Sequence, residues 1–90
     1  MTYTEIIHRV ADMTGVSEAD IRARHRDNPR SKARQLAILL VHEMTGKSLE
    51  GVGRVFGRRH STILYSIRQG RELVKTEAWA RDVYQAIKGA

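Results

Sequence analysis

The sequence predicts an all-α fold, a single domain of five to six helices that contains a helix-turn-helix. Three observations lead there. Apolar residues recur at helical spacing along most of the chain, with no alternating run of the strand kind. Glycines and capping hydroxyls punctuate those stripes where helices begin and end. The 90 residues supply one small core and no more, burying about two-thirds of the surface that the unfolded chain exposes.

Thr2 and Glu5 have the spacing of a capping box, Ile6, Val10 and Met13 follow as a stripe, and Gly15 ends the first helix. Ser17 with Asp20 opens a short second helix that runs through Ile21 into the basic stretch Arg22 to Arg26. Asp27, Asn28 and Pro29 break it, because proline disfavours helix for the residue before it. A long third helix is expected from about Ser31 to Thr45. Its apolar positions Leu36, Ala37, Leu40, Val41 and Met44, widened by Ile38 and Leu39, mark it as the central buried helix, and Gly46 ends it. A last helix covers about residues 77–88, where Trp79, Val83 and Ile87 lie four apart on one face. That face suits docking on the core or, as the sharper alternative, a dimer surface.

Between these lies the stretch from Ser48 to Ser66, SLEGVGRVFGRRHSTILYS. Ser48 is placed to cap a short helix whose Leu49, Val52, Val55 and Phe56 share a face, and Gly57 supplies the left-handed residue that ends it. Arg58, Arg59, His60, Ser61 and Thr62 then open a second helix that continues through Ile63, Leu64 and Ile67 toward Leu73 and Val74. Gly70 weakens that helix by about 1 kcal/mol relative to alanine. Gly53 is read as a site of close packing and Tyr65 as a core residue. In a helix-turn-helix the start of the second helix faces base edges in the major groove while the first crosses the backbone. Cations and hydroxyls at that start therefore have targets.

Charge agrees with this reading. From Arg22 to Arg34 six cations face Asp27 alone, and from Arg54 to Arg71 there are five arginines and no acid. The whole chain carries only +6, so the remainder is net negative and positive potential concentrates on one or two surfaces. A phosphate backbone is the partner such a distribution fits. No cysteine is present, which removes disulfides and thiolate metal sites, and His8, His25, His42 and His60 are too separated to form a ligand pair. No metal or cofactor is expected. No apolar run approaches the roughly 20 residues of a membrane span. No Ser/His/Asp or paired-carboxylate set is placed for catalysis, so no enzyme activity is expected. Aromatic residues, 6% of the chain, are too few for binding single strands by stacking. Major-groove entry favours DNA over A-form RNA, whose major groove is too narrow to read.

The span from about Ile6 to Glu72 resembles the C-terminal DNA-binding domain of the bacterial replication initiator DnaA, a helix-turn-helix of the Trp-repressor-like type. The residues stand in that family's order: a basic loop from Arg24 to Lys32, a long helix opening with Ala33, Arg34 and Gln35 and ending in His42, Glu43, Met44 and Thr45, then Ser48 and Leu49, Val52 and Gly53, Phe56 and Gly57, and Arg58 to Tyr65. The resemblance implies a loop cation in the minor groove, with Lys32 at the matching position. It implies backbone contacts from Arg34 and Gln35 and major-groove entry by His60, Ser61 and Thr62. With the loop residues Arg24, Arg26 and Arg30, the residues Ser48 and Leu49, and the turn residues Arg58 and Arg59, these are the candidate DNA contacts.

Two departures bear on specificity. The family pattern resembles Gly-Gly-Arg-Asp-His-(Ser/Thr)-Thr, whereas this chain has Gly57, Arg58, Arg59, His60, Ser61 and Thr62, with one glycine fewer and arginine in place of aspartate. An acceptor has become a donor, so Arg59 is expected to donate to a guanine, or to an adjacent phosphate if the missing glycine has shifted the helix start, and capping passes to Ser61 or His60. Glu50 stands where the family usually has proline, favouring the helix dipole but not a close phosphate. The phosphate-binding loop of a full initiator has no counterpart, since Gly46, Lys47 and Ser48 lack the preceding glycine and strand. The expectation is a free-standing relative, with an excised domain of an initiator as the alternative, that binds double-stranded DNA in the bacterial cytoplasm, at the nucleoid. Its role would be replication initiation or its regulation, with a second copy or a replication protein as further partner. The alternatives are a transcriptional regulator of a phage or mobile element, and a protein-interaction module that has kept the fold.

Overall fold

The computed structural model describes residues 1–89 and contains six helices: α1 (Tyr3–Thr14), α2 (Glu18–Arg22), α3 (Asn28–Thr45), α4 (Leu49–Phe56), α5 (His60–Thr76) and α6 (Ala78–Lys88). No strand occurs among the described residues. The first two helices start as their sequences predict. Thr2 Oγ1 accepts from Glu5 N–H at 3.3 Å and Ser17 Oγ from Asp20 N–H at 3.1 Å.

α3 is the axis of the fold and packs against every other helix. Leu36, Ala37, Ile38, Leu39, Leu40 and Val41 are all buried, which is why its apolar residues run all the way round rather than along one stripe. It begins three residues earlier than the sequence predicts, because Pro29 sits in its first turn. A proline there forfeits no hydrogen bond, since first-turn N–H groups have no helical partner. α2 correspondingly stops at Arg22 rather than running to Arg26, with Ala23 extended. The carbonyl that would have continued the helix is taken instead by arginine side chains.

Glycine at position 70 is explained by the contact of α3 with α5. A Cβ there would lie 2.8 Å from the Gln35 carbonyl oxygen and 3.0 Å from Leu39 Cβ. The cost in helix propensity is offset by the approach of the two longest helices.

Val83 and Ile87 of α6 are buried in the chain's own core, which bears out docking and removes both from any dimer surface. Trp79 stays 37% exposed, its indole N–H donating to Glu77 Oε1 at 2.8 Å. Met13, expected in the first stripe, is 45% exposed; it shares an open groove with Trp79 beyond the reach of the core, and Ile7 completes the buried stripe instead. Glu43 on α3 fastens α6: it accepts from the Tyr84 hydroxyl and from Lys88 Nζ at 2.6 Å, with Arg71 at 3.9 Å. Burial opposes ionisation of Glu43, but the bonds from Lys88 and Tyr84 outweigh it and hold the carboxyl below its ordinary range.

Candidate nucleic-acid interface

The helix-turn-helix is α4, the turn Gly57 to Arg59, and α5. Ser48 Oγ accepts from Gly51 N–H at 3.1 Å, so its hydroxyl is engaged as a cap, and Leu49 packs against the core. Gly57 adopts φ 65°, reversing the chain. Arg58 N–H then donates to the Gly53 carbonyl at 2.9 Å. This fold-back leaves no room at position 53, where a Cβ would meet the Arg58 carbonyl oxygen at 2.5 Å. Gly53 is thus required by the turn itself, with Ile63 of α5 next nearest at 3.8 Å.

α5 starts at His60, with Arg59 in the cap position and no side-chain capping bond. The expected cap from Ser61 or His60 is not formed. Both lie inside the first turn, past the position from which a side chain can reach back to its N–H groups, and arginine has no acceptor to offer. The positive end of the helix dipole is therefore left uncapped. Arg59, His60, Ser61 and Thr62 are all exposed there, and none has a side-chain hydrogen bond or ion pair among the described residues. One turn further along, Tyr65 is 58% exposed rather than buried, with Arg68 beyond it. Helical spacing explains both: positions 61, 65 and 68 share one face, and Ile63, Ser66 and Ile67 hold the other against the core.

The six cations of the basic segment divide into two groups. Arg24 and Arg26 lie in the loop between α2 and α3, exposed and without a side-chain partner among the described residues. The others are engaged. Arg30 lies 3.8 Å from both Asp20 and Asp27 and approaches His25 Nδ1 at 3.0 Å. Lys32 is on α3, half-buried, and donates to Glu77 Oε2 at 2.8 Å. Arg34 Nη1 donates to the carbonyls of Ala23 and His25, each at 3.0 Å, while Arg22 Nη1 donates to the Val55 carbonyl at 3.1 Å. Gln35 is half-buried, its backbone facing Gly70.

From the turn, Arg58 reaches into the same loop. Its Nη2 donates to the Ala23 carbonyl at 2.9 Å and its Nη1 to the Phe56 carbonyl at 2.8 Å. Burial pushes the Arg58 guanidinium below its ordinary pKa, and the charges of Arg34 and Arg24 push the same way. Arg34 is lowered by burial, against the opposing field of Asp27. These cations are close enough to repel one another, and neither Arg34 nor Arg58 has a carboxylate within ion-pair distance among the described residues. An incoming anion would relieve that repulsion. Arg54, in the last turn of α4, is a further exposed cation without a partner among the described residues; the run of arginines without acids marked it, but no motif did.

Comparison with known proteins agrees with this geometry. The family described as bacterial dnaA protein helix-turn-helix matches residues 3–69, from the start of α1 into α5. The chain is 34% identical over 87 residues to the chromosomal replication initiator protein DnaA of Thermus thermophilus, covering 96% of this chain and 20% of that protein. It is 30% identical over 89 residues to the protein of the same name from Wolbachia pipientis wMel, covering 98% and 19%. The chain thus spans about one-fifth of the length of these relatives.

Proposed function

The chain belongs to the bacterial DnaA helix-turn-helix family, and from that premise we propose that it binds double-stranded DNA in a sequence-specific manner, in the setting of chromosomal replication initiation that its relatives' names describe. One observation carries the reading. The start of α5 offers Arg59, His60, Ser61 and Thr62 exposed and uncommitted at an uncapped helix end, next to a loop whose Arg24 and Arg26 are also uncommitted. Side chains held for a core or for internal ion pairs would be engaged within the chain.

In this reading the first turn of α5 enters the major groove. Arg59 donates to a guanine edge, where a bidentate contact to O6 and N7 is worth about 1 to 3 kcal/mol of discrimination. Arg24 and Arg26 face the backbone or the minor groove and supply affinity that falls with salt. Lys32, bound to Glu77, contributes to the packing of α6 rather than to the duplex. Arg54 and Arg68 extend the positive surface on either side.

Selection of bound sequences from random duplex DNA tests the proposal, followed by titration of the selected and scrambled duplexes at several salt concentrations. A recovered motif with at least a tenfold preference over scrambled DNA supports specific reading, a difference of about 1.4 kcal/mol. Equal affinity for both duplexes with a steep salt dependence would reduce the function to backbone binding, and absence of binding at low salt would refute it.

A further inference from the structure

Loop and turn meet at one backbone carbonyl. Ala23 O accepts from Arg58 Nη2 at 2.9 Å and from Arg34 Nη1 at 3.0 Å. Arg34 also holds His25 O at 3.0 Å, Arg58 also holds Phe56 O at 2.8 Å, and Arg22 holds Val55 O at 3.1 Å. Five hydrogen bonds from three side chains therefore tie the end of α2, the basic loop, the start of α3 and the end of α4 together. Arg34 and Arg58 bind three carbonyls between them and share one, Ala23 O; none belongs to helix interior, since Ala23 and His25 lie in the loop and Phe56 is the last residue of α4.

We propose that Arg34 and Arg58 are positioning residues, which lock the basic loop onto the turn before α5 so that Arg24, Arg26 and the first turn of α5 meet a duplex as one preorganised surface. This rests on the DNA-binding reading above. It separates the arginines of the chain by role. Arg24, Arg26 and Arg59 carry charge to the ligand, whereas Arg34 and Arg58 use their donors inside the protein. Geometry makes the distinction. The guanidinium is a rigid planar fork whose separate amino groups serve two carbonyls at once, as Arg58 serves Ala23 and Phe56. Lysine keeps the charge but offers a single nitrogen, so it replaces a phosphate-seeking arginine far better than a bridging one.

Arg58→Lys therefore forms the test, with Arg58→Met as the variant that loses charge and fork together; Arg34, whose two bonds both leave Nη1, is tested by Arg34→Met, which removes the donors outright. In the free protein, backbone amide order parameters are followed residue by residue by nuclear magnetic resonance relaxation. The lock predicts that Arg58→Lys lowers the order parameters of the segment 24–27 from the rigid value of about 0.85 to below about 0.6, while α3 amides from Leu36 to Val41 keep their wild-type values. With duplex DNA, Arg24→Ala and Arg26→Ala each lower the slope of log affinity against log salt by about one in the wild-type background. In the Arg58→Lys background they should lower it by less than half as much, because the unlocked loop no longer delivers its cations.

Arg34→Met must show the same loosening of the loop and the same coupling. If Arg58→Lys keeps wild-type loop order and full loop contributions, and only Arg58→Met loses about one unit of slope, Arg58 is a phosphate contact and the lock is overturned. Should the wild type fail to bind duplex, the DNA-binding reading falls, and the order parameters of the free protein still decide whether the lock exists.

Discussion

Replacing Gly53 with alanine separates helix propensity from turn geometry, because the two oppose each other at this position. Alanine within α4 gains about 1 kcal/mol over glycine from propensity alone. At position 53, however, the added Cβ falls 2.5 Å from the Arg58 carbonyl oxygen, a backbone atom that cannot rotate aside as a flexible side chain does. Relief needs the Gly57 to Arg59 turn to move, which strains the bond from Arg58 N–H to Gly53 O and displaces the guanidinium bound to Ala23. Overpacking of this kind costs about 1 to 3 kcal/mol and, against backbone, lies at the upper end, so the net expectation is a loss of about 1 to 2 kcal/mol. At roughly 4 to 8 °C per kcal/mol for a domain of this size, Gly53→Ala should melt about 5 to 15 °C below wild type by circular dichroism.

Two residues earlier in the same helix, Gly51→Ala provides the control. Its Cβ would meet Lys47 Cβ and Ser48 Oγ at 3.4 Å, ordinary contacts, so propensity prevails and the melting temperature should hold or rise. The reasoning is refuted if Gly53→Ala melts at or above wild type, or if both variants shift by the same amount.

Three further expectations follow from the geometry. Arg59→Ala should relax preference at one base pair, and Arg59→Asp should move that preference toward cytosine; identical motifs from sequence selection on both variants and the wild type would take Arg59 out of the interface. Arg26→Ala should lower the salt slope of duplex binding by about one, whereas Lys32→Ala should leave it unchanged, since Lys32 is engaged by Glu77; the reverse order in a salt titration would exchange their roles. Glu43→Gln should destabilise by about 1 kcal/mol at neutral pH. The folded-state pKa of Glu43 lies below its ordinary value, so its contribution is present above about pH 4.3 and disappears as pH falls through the lower folded value. Lys88 is shifted upward, so its share is present below about pH 10.4 and fades as pH rises past that. Melting curves across pH should show wild type and Glu43→Gln converging at the acid end, and a constant difference would remove Glu43 from the account.

The helices were legible because their signals are local. Thr2, Ser17 and Ser48 cap where they stand, Gly15, Gly46 and Gly57 end helices by taking positive φ, and each depends only on residues within one turn. The apolar run Leu36 to Val41 announced a central helix for the same reason. Boundaries failed where a local signal had two meanings. Pro29 reads as a breaker, yet in the first turn it is an accepted residue, and only the course of the chain through Ala23 decides between them. Met13 and Tyr65 failed differently: a stripe says which residues share a face, not where the neighbouring helix stops covering it.

For the candidate interface, residue order and charge alone pointed to the class of partner proposed above, since a cation-rich run before a helix-turn-helix and an acid-free one within it suit a phosphate backbone. What only the tertiary structure decided is which cations are engaged within the chain and which are left exposed. In sequence Arg24, Arg26, Arg30, Lys32, Arg34, Arg58 and Arg59 are alike, all long and all charged. Folding brings carbonyls and carboxylates from distant segments within reach of some and not others: Glu77 to Lys32, Asp20 to Arg30, Ala23 to Arg34 and Arg58. Arg24, Arg26 and Arg59 are left without a side-chain partner among the described residues. A side chain of six or seven ångströms chooses its partner in space rather than along the chain, so its role is set by contacts spanning up to 45 residues, as between Lys32 and Glu77.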